Sequence, residues 1–134
     1  MKRIRTIAWA CLFVACVVSP AWAGSYLDRA GLLLTEANRA SHVMRTRLGD
    51  KEFLHMVHEL SRARLDAASH MLVPKEITVA HPHLLMALEN FERAADAAEN
   101  REPQAFLVYL QKATEEERIL RSIVERLGWT IPDL

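Results

Sequence analysis

The sequence predicts an all-α protein, an antiparallel up-down-up-down four-helix bundle that follows a cleaved signal peptide. Three observations lead there. Apolar residues recur at alternating three- and four-residue steps in four successive stretches, each stretch is bounded by Gly, Pro or Asn, and neither period-two alternation nor a glycine-rich phosphate loop occurs.

The chain opens as a secretory leader. Lys2, Arg3 and Arg5 form a basic start, Thr6 to Ser19 is an almost unbroken apolar run, Pro20 follows, and Ala21-Trp22-Ala23 is a small-x-small cleavage site. Cleavage is expected after Ala23, giving residues 1–23 as the signal peptide and 24–134 as the bundle. The apolar run is shorter than the roughly 20 residues of a membrane span, so no stable span is expected after cleavage. Cys16 suggests lipidation, but Phe13-Val14-Ala15 is a poor lipobox and the apolar Val17-Val18 follows it. Both cysteines, Cys11 and Cys16, lie in the leader. A mature chain without thiols has no disulfide, thiolate metal site, cysteine nucleophile or c-type haem attachment.

Helix one is expected over about 26–48, with Ser25 and Asp28 as a capping pair and a seam of Tyr26, Ala30, Leu33, Ala37, Ala40, Met44 and Leu48. Gly49 stops it, and Asp50 caps an antiparallel second helix over about 51–72. Its expected core side is Phe53, Val57, Leu60, Ala67 and Met71, interrupted by Arg64. Val73-Pro74 ends that helix, because the residue before proline avoids helical geometry. The loop from Pro74 to His81 can fold Ile77 and Val79 over one end of the bundle.

Pro82 sits in the first turn of helix three, about 82–99, where a missing amide donor costs little. Its seam is Leu84, Leu88, Phe91, Ala95 and Ala98, and its alanines predict close approach to a neighbour. Pro103 opens helix four, about 103–127, with a seam of Phe106, Leu110, Ala113, Leu120, Val124 and Leu127. Gly128 closes it, so that Trp129 and Ile131 can pack back on the bundle.

Charge narrows the partners. The chain carries 17 basic and 17 acidic residues; losing the three basic residues of the leader leaves 14 against 17, a net charge of −3 with histidine neutral. That mild acidity argues against nucleic acid, whose binding demands a concentrated basic face. An exported protein is expected, periplasmic in a Gram-negative bacterium and otherwise secreted.

Two interruptions of the seams are candidate site residues. Glu117 stands where helix four should present a hydrophobe, and Arg64 does the same in helix two. Counting layers outward from the two turns puts both level with Ala37 and Leu88, which predicts a structural polar layer, a buried Arg64–Glu117 salt bridge that sets register. The alternative use of such a layer is to orient a small anion or amphipathic ligand, as in a carrier.

Histidines offer a metal alternative. His70, His81 and His83 flank the loop between helices two and three, and converging imidazoles there would suit Zn or Cu, with Met71 or Met86 nearby. His55 and His58 have ligand-like spacing, but the expected seam turns them to solvent. Met44, Met56 and Met71 read as core fillers, and Tyr26, Tyr109 and Trp129 as anchors at or near the surface. No cofactor is otherwise implied. Ser41, Ser61, Ser69 and Ser122 lie on helices without a catalytic motif, so the leaning is away from an enzyme. The reading is a protein-binding or structural component of the envelope, whose exposed Leu32, Val43 and Leu85 serve a protein partner or self-association.

Overall fold

The computed structural model describes residues 18–134. Residues 1–17, most of the predicted leader with both cysteines, lie outside the described residues. Four helices, α1 (Val18–Thr46), α2 (Lys51–Ser69), α3 (His81–Glu99) and α4 (Pro103–Arg126), form the expected four-helix bundle, with a 3₁₀ turn at Lys75–Ile77 and no strand among the described residues. None of these helices is long and apolar enough to cross a membrane.

Turn chemistry sets the boundaries. The Asp50 carboxylate accepts the Phe53 amide at 3.0 Å and caps α2, satisfying one of the free donors at its start. Pro82 lies in the first turn of α3 and Pro103 in that of α4. Arg101 takes the left-handed conformation, φ 62°, between α3 and α4. Past α4, Gly128 at φ +85° lets the Trp129 amide return to the Val124 carbonyl at 3.0 Å, as in a Schellman-type stop.

Helix one differs from expectation. It runs unbroken through the predicted cleavage site, so Ser25 is helical rather than a cap, and it ends at Thr46. Tyr26, read both as the first residue of the helix-one seam and as an anchor at or near the surface, is 2% exposed, with its hydroxyl on His81 at the start of α3. Leu85, expected to be exposed, packs partly against the core.

The α4 seam is as read: Phe106, Leu110, Ala113, Leu120 and Val124 are buried, whereas Leu127 is exposed. Helices α3 and α4 approach each other most closely, and α1 stands further from its neighbours. Alanine explains the first: Ala87, Ala94, Ala95, Ala97 and Ala98 on α3 and Ala113 on α4 are all buried, so little side-chain volume holds the backbones apart.

Helix two is rotated from its expected seam. Leu54, Val57, Ser61 and Ala68 are buried, while Met56, Leu60 and Ala67 are exposed and Phe53 and Met71 half-buried. The apolar stripe of α2 is wider than one seam can use. Its close packing against α3 selects the Leu54 side, and the more distant α1 leaves the Leu60 side open. The end of the bundle is closed by fully buried Ile77, while Val79 stays exposed.

Residues 129–134 form a strap across the groove between α1 and α4. Ile131 is buried against the core and Trp129 half-buried. A Cβ added at Gly31 would lie 2.4 Å from the Pro132 carbonyl oxygen, so the strap passes α1 at a distance that only glycine permits.

Candidate functional site

The polar residues of the seams do not meet. Glu117 is largely buried, its side chain 13% exposed, but its partner is Arg121, one turn further along α4. Nε and Nη2 of Arg121 donate to Oε1 at 3.0 and 2.9 Å, and Asn38 Nδ2 donates to Oε2 at 2.8 Å. The i, i+4 spacing of Glu117 and Arg121 was the available signal. Arg121 reaches on to the strap, donating to the Ile131 carbonyl at 3.0 Å and to Asp133 at 2.8 Å.

Arg64 is corrected likewise. The rotation of α2 turns it toward α1, where its buried Nη1 has no hydrogen-bond partner. Burial pushes its pKa down, and the field of Glu36 on α1 offsets this in part. The layer count assumed that α2 and α4 present these positions to a common axis, which the rotation prevents. Arg64→Met should therefore hold or raise the thermal midpoint, since methionine fills comparable space without stranded donors. A loss above about 1.5 kcal/mol on urea unfolding would mean that the guanidinium has a partner.

The three loop histidines do not converge either. His70 is exposed, with Nδ1 2.9 Å from the Asp66 carbonyl of its own helix. His81 Nδ1 accepts from the Tyr26 hydroxyl at 2.9 Å, and His83 Nδ1 is 2.7 Å from Glu116 on α4. Positions two apart on a helix point about 200° apart, so His81 and His83 diverge. Among the described residues no group of three or more His, Asp or Glu side chains could hold a metal ion. Burial keeps the Tyr26 phenol protonated, its pKa raised to about 12, and lowers that of His81. Phenol donor and neutral imidazole acceptor are thus matched.

The flanks of α2 carry what the sequence reading missed. On the α3 side, His58 lies between two carboxylates, with Nε2 2.9 Å from Glu92 and Nδ1 2.8 Å from Glu99. The other oxygen of Glu99 is 2.7 Å from His55 Nδ1, and Asp96 lies 3.9 Å from His58. The His58 side chain is 13% exposed. Both nitrogens can donate at once only in the imidazolium, so the geometry selects the cation. Burial opposes that charge, but the bonds to Glu92 and Glu99 outweigh it and raise the pKa. The same bonds hold Glu99 below its ordinary value. The rotation of α2 was invisible in a stripe this wide: the expected seam had put both histidines in solvent, where His55 does lie, 63% exposed, while His58 turns toward α3.

On the α1 side an apolar seam lies open. Met56, Leu60, Ala63 and Ala67 recur along one exposed flank of α2 and lead to Met71 and Leu72. Leu32 and Val43 are exposed on α1, at 50% and 40%. Two adjoining depressions of about 360 and 200 Å³ share Arg29 and Met71; one is completed by Trp22, Ser25, Tyr26 and Leu72, the other by Leu32, Leu33 and Ala67. Single exposed hydrophobes carry no message, but a continuous apolar strip marks an interaction surface. No protein-family model matches the chain, and neither the curated proteins nor the solved structures contain a match.

Proposed function

We propose that the chain is an exported, non-enzymatic helical bundle of the cell envelope that binds another protein along the seam between α1 and α2. The observation that carries this reading is the pair of adjoining depressions that set Leu32 and Leu33 of α1 beside Ala67, Met71 and Leu72, with Met56 and Leu60 exposed further along the same flank of α2 in a helix pair that packs loosely. Export rests on the leader-like residues 1–23; cleavage after Ala23 removes Trp22 and leaves the remainder of the seam.

An apolar strip of this kind fits the stripe of a partner helix, with anchors three or four residues apart. Its loose packing lets the partner supply the contacts that α1 and α2 do not make with each other. The test is tagged co-purification from the cells that make the protein, comparing the full chain with Leu32→Glu/Leu60→Glu. A partner recovered in stoichiometric amount with the full chain and lost with the variant, at an unchanged thermal midpoint, is expected. Retention of every co-purifying protein by the variant would refute the seam as the binding face.

A further inference from the structure

We propose that the groove between α1 and α4 recognises a short extended segment of the form apolar–Pro–Asp–apolar in a partner protein, and that Ile131–Leu134 occupy it as a built-in competitor. The site is distinct from the α1–α2 seam, on the opposite flank of α1.

The recognition is directed largely at main-chain atoms. Arg121 Nη1 donates to the Ile131 carbonyl at 3.0 Å, Arg39 Nη2 donates to the Leu134 carbonyl at 3.2 Å, and the Leu134 amide donates to Thr35 Oγ1 at 3.4 Å. Contacts of this sort read an extended backbone whichever chain supplies it, and side chains at intervals supply the selectivity.

Each position of the strap has a distinct role. Ile131 is the apolar anchor, 3% exposed. Pro132 crosses Gly31, where the missing Cβ admits its carbonyl oxygen and ring; proline brings no amide to be left unpaired and limits the freedom lost on docking. Asp133 gives its carboxylate to Arg121 at 2.8 Å while remaining 86% exposed. The clamp is ordered beforehand, since Glu117 holds Arg121 through two bonds and Asn38 holds Glu117. A buried carboxylate in the α4 seam is thereby explained as support for a guanidinium aimed into the groove.

A strap joined to its own groove through Gly128, where the space around the Cα is open, acts at the high effective concentration of a short tether. A partner segment must outcompete it, so weakening the strap should expose the site. Asp133→Lys does so without touching the core, because the new ammonium is set against Arg121.

The probe is a fluorescein-labelled peptide of sequence Trp-Thr-Ile-Pro-Asp-Leu, titrated into the full chain and into full-length Asp133→Lys, with amide shifts of Gly31 and Thr35 followed by NMR. Binding at least about tenfold tighter to Asp133→Lys than to the unaltered chain is expected, with shifts at both residues. A peptide carrying Ala for Asp should bind both chains about tenfold more weakly, the equivalent of one charge-assisted bond. Ile131→Ser, which loosens the strap at its anchor, should expose the site in the same way. Failure of both folded variants to bind, or equal binding of a scrambled peptide, would overturn the proposal. So would exchange of straps between copies, seen as a dimer in sedimentation, which would assign the groove to self-assembly.

Discussion

Gly31→Ala is expected to destabilise the protein by about 2 kcal/mol, reversing the usual sign of that substitution. Inside a helix, alanine in place of glycine ordinarily gains up to roughly 1 kcal/mol through backbone entropy. Here the new methyl would stand 2.4 Å from the Pro132 carbonyl oxygen and 3.2 Å from its ring. The oxygen belongs to backbone, so relief requires the strap to lift. Lifting exposes Ile131, whose burial contributes about 1.5 to 3 kcal/mol, and loosens the bonds from Arg121 and Arg39. Urea unfolding of Gly31→Ala, Ile131→Ser and the double variant separates the contributions. The double variant should be no less stable than Ile131→Ser alone, because the clash vanishes once the strap has left. A stabilised Gly31→Ala would show that the strap does not cross α1 at that residue.

His58→Gln is expected to cost about 2 kcal/mol near pH 6 and progressively less as the solution becomes alkaline. Removing the cation leaves Glu92 and Glu99 facing each other, each about one-fifth exposed. Stranding one partner of a fully buried pair costs about 3 to 5 kcal/mol, and the residual exposure here reduces that. The sign of the pH dependence follows from the shifts. His58 has a folded pKa raised above 6.5, so its contribution is fully present below about pH 6.5 and is lost as pH rises through the raised value. Glu99 is lowered from 4.5, so its contribution is present above that value and is lost as pH falls through the depressed one. The node is therefore strongest between about pH 4.5 and 6.5. His81 works in the opposite sense: burial lowers its pKa, and its contribution falls as the solution is acidified below about pH 6.5. Thermal midpoints of the unaltered chain and of His58→Gln from pH 5 to 9 isolate the node, because the His81 contribution cancels in the difference. A gap that stays constant with pH would mean that His58 packs without carrying charge.

What could be read from the chain depended on how uniquely each pattern named a face. The α4 stripe is narrow and its expected residues are buried, Leu127 apart, because only one rotation of that helix buries them all. The Gly128 stop and the return of Ile131 were legible for the same local reason, since a glycine stop followed by isolated hydrophobes permits little else. In α2, Phe53, Leu54, Met56, Val57, Leu60 and Leu65 make a stripe wide enough for two rotations. The choice between them is made by the alanine-lined α3, which lies far away in sequence. That one rotation misplaced Arg64, Leu60 and His58 together, while His55 stays exposed as expected. Glu117 was rightly singled out as a polar residue turned inward, but its partner was sought across the bundle when it lay one turn away. The crossing at Gly31 left no mark in the sequence, because a glycine inside a helix does not reveal which backbone passes over it.

The central claim, that the α1–α2 seam is the protein-binding face, is tested most directly by photocrosslinking in the cells that make the protein. A photoreactive phenylalanine analogue is placed in turn at Leu32 and Leu60 on the seam and at Arg118, which lies exposed on α4. A discrete adduct of the same size from Leu32 and Leu60, absent from Arg118, is the predicted result. Adducts formed equally from all three positions, or none from the seam, would contradict it.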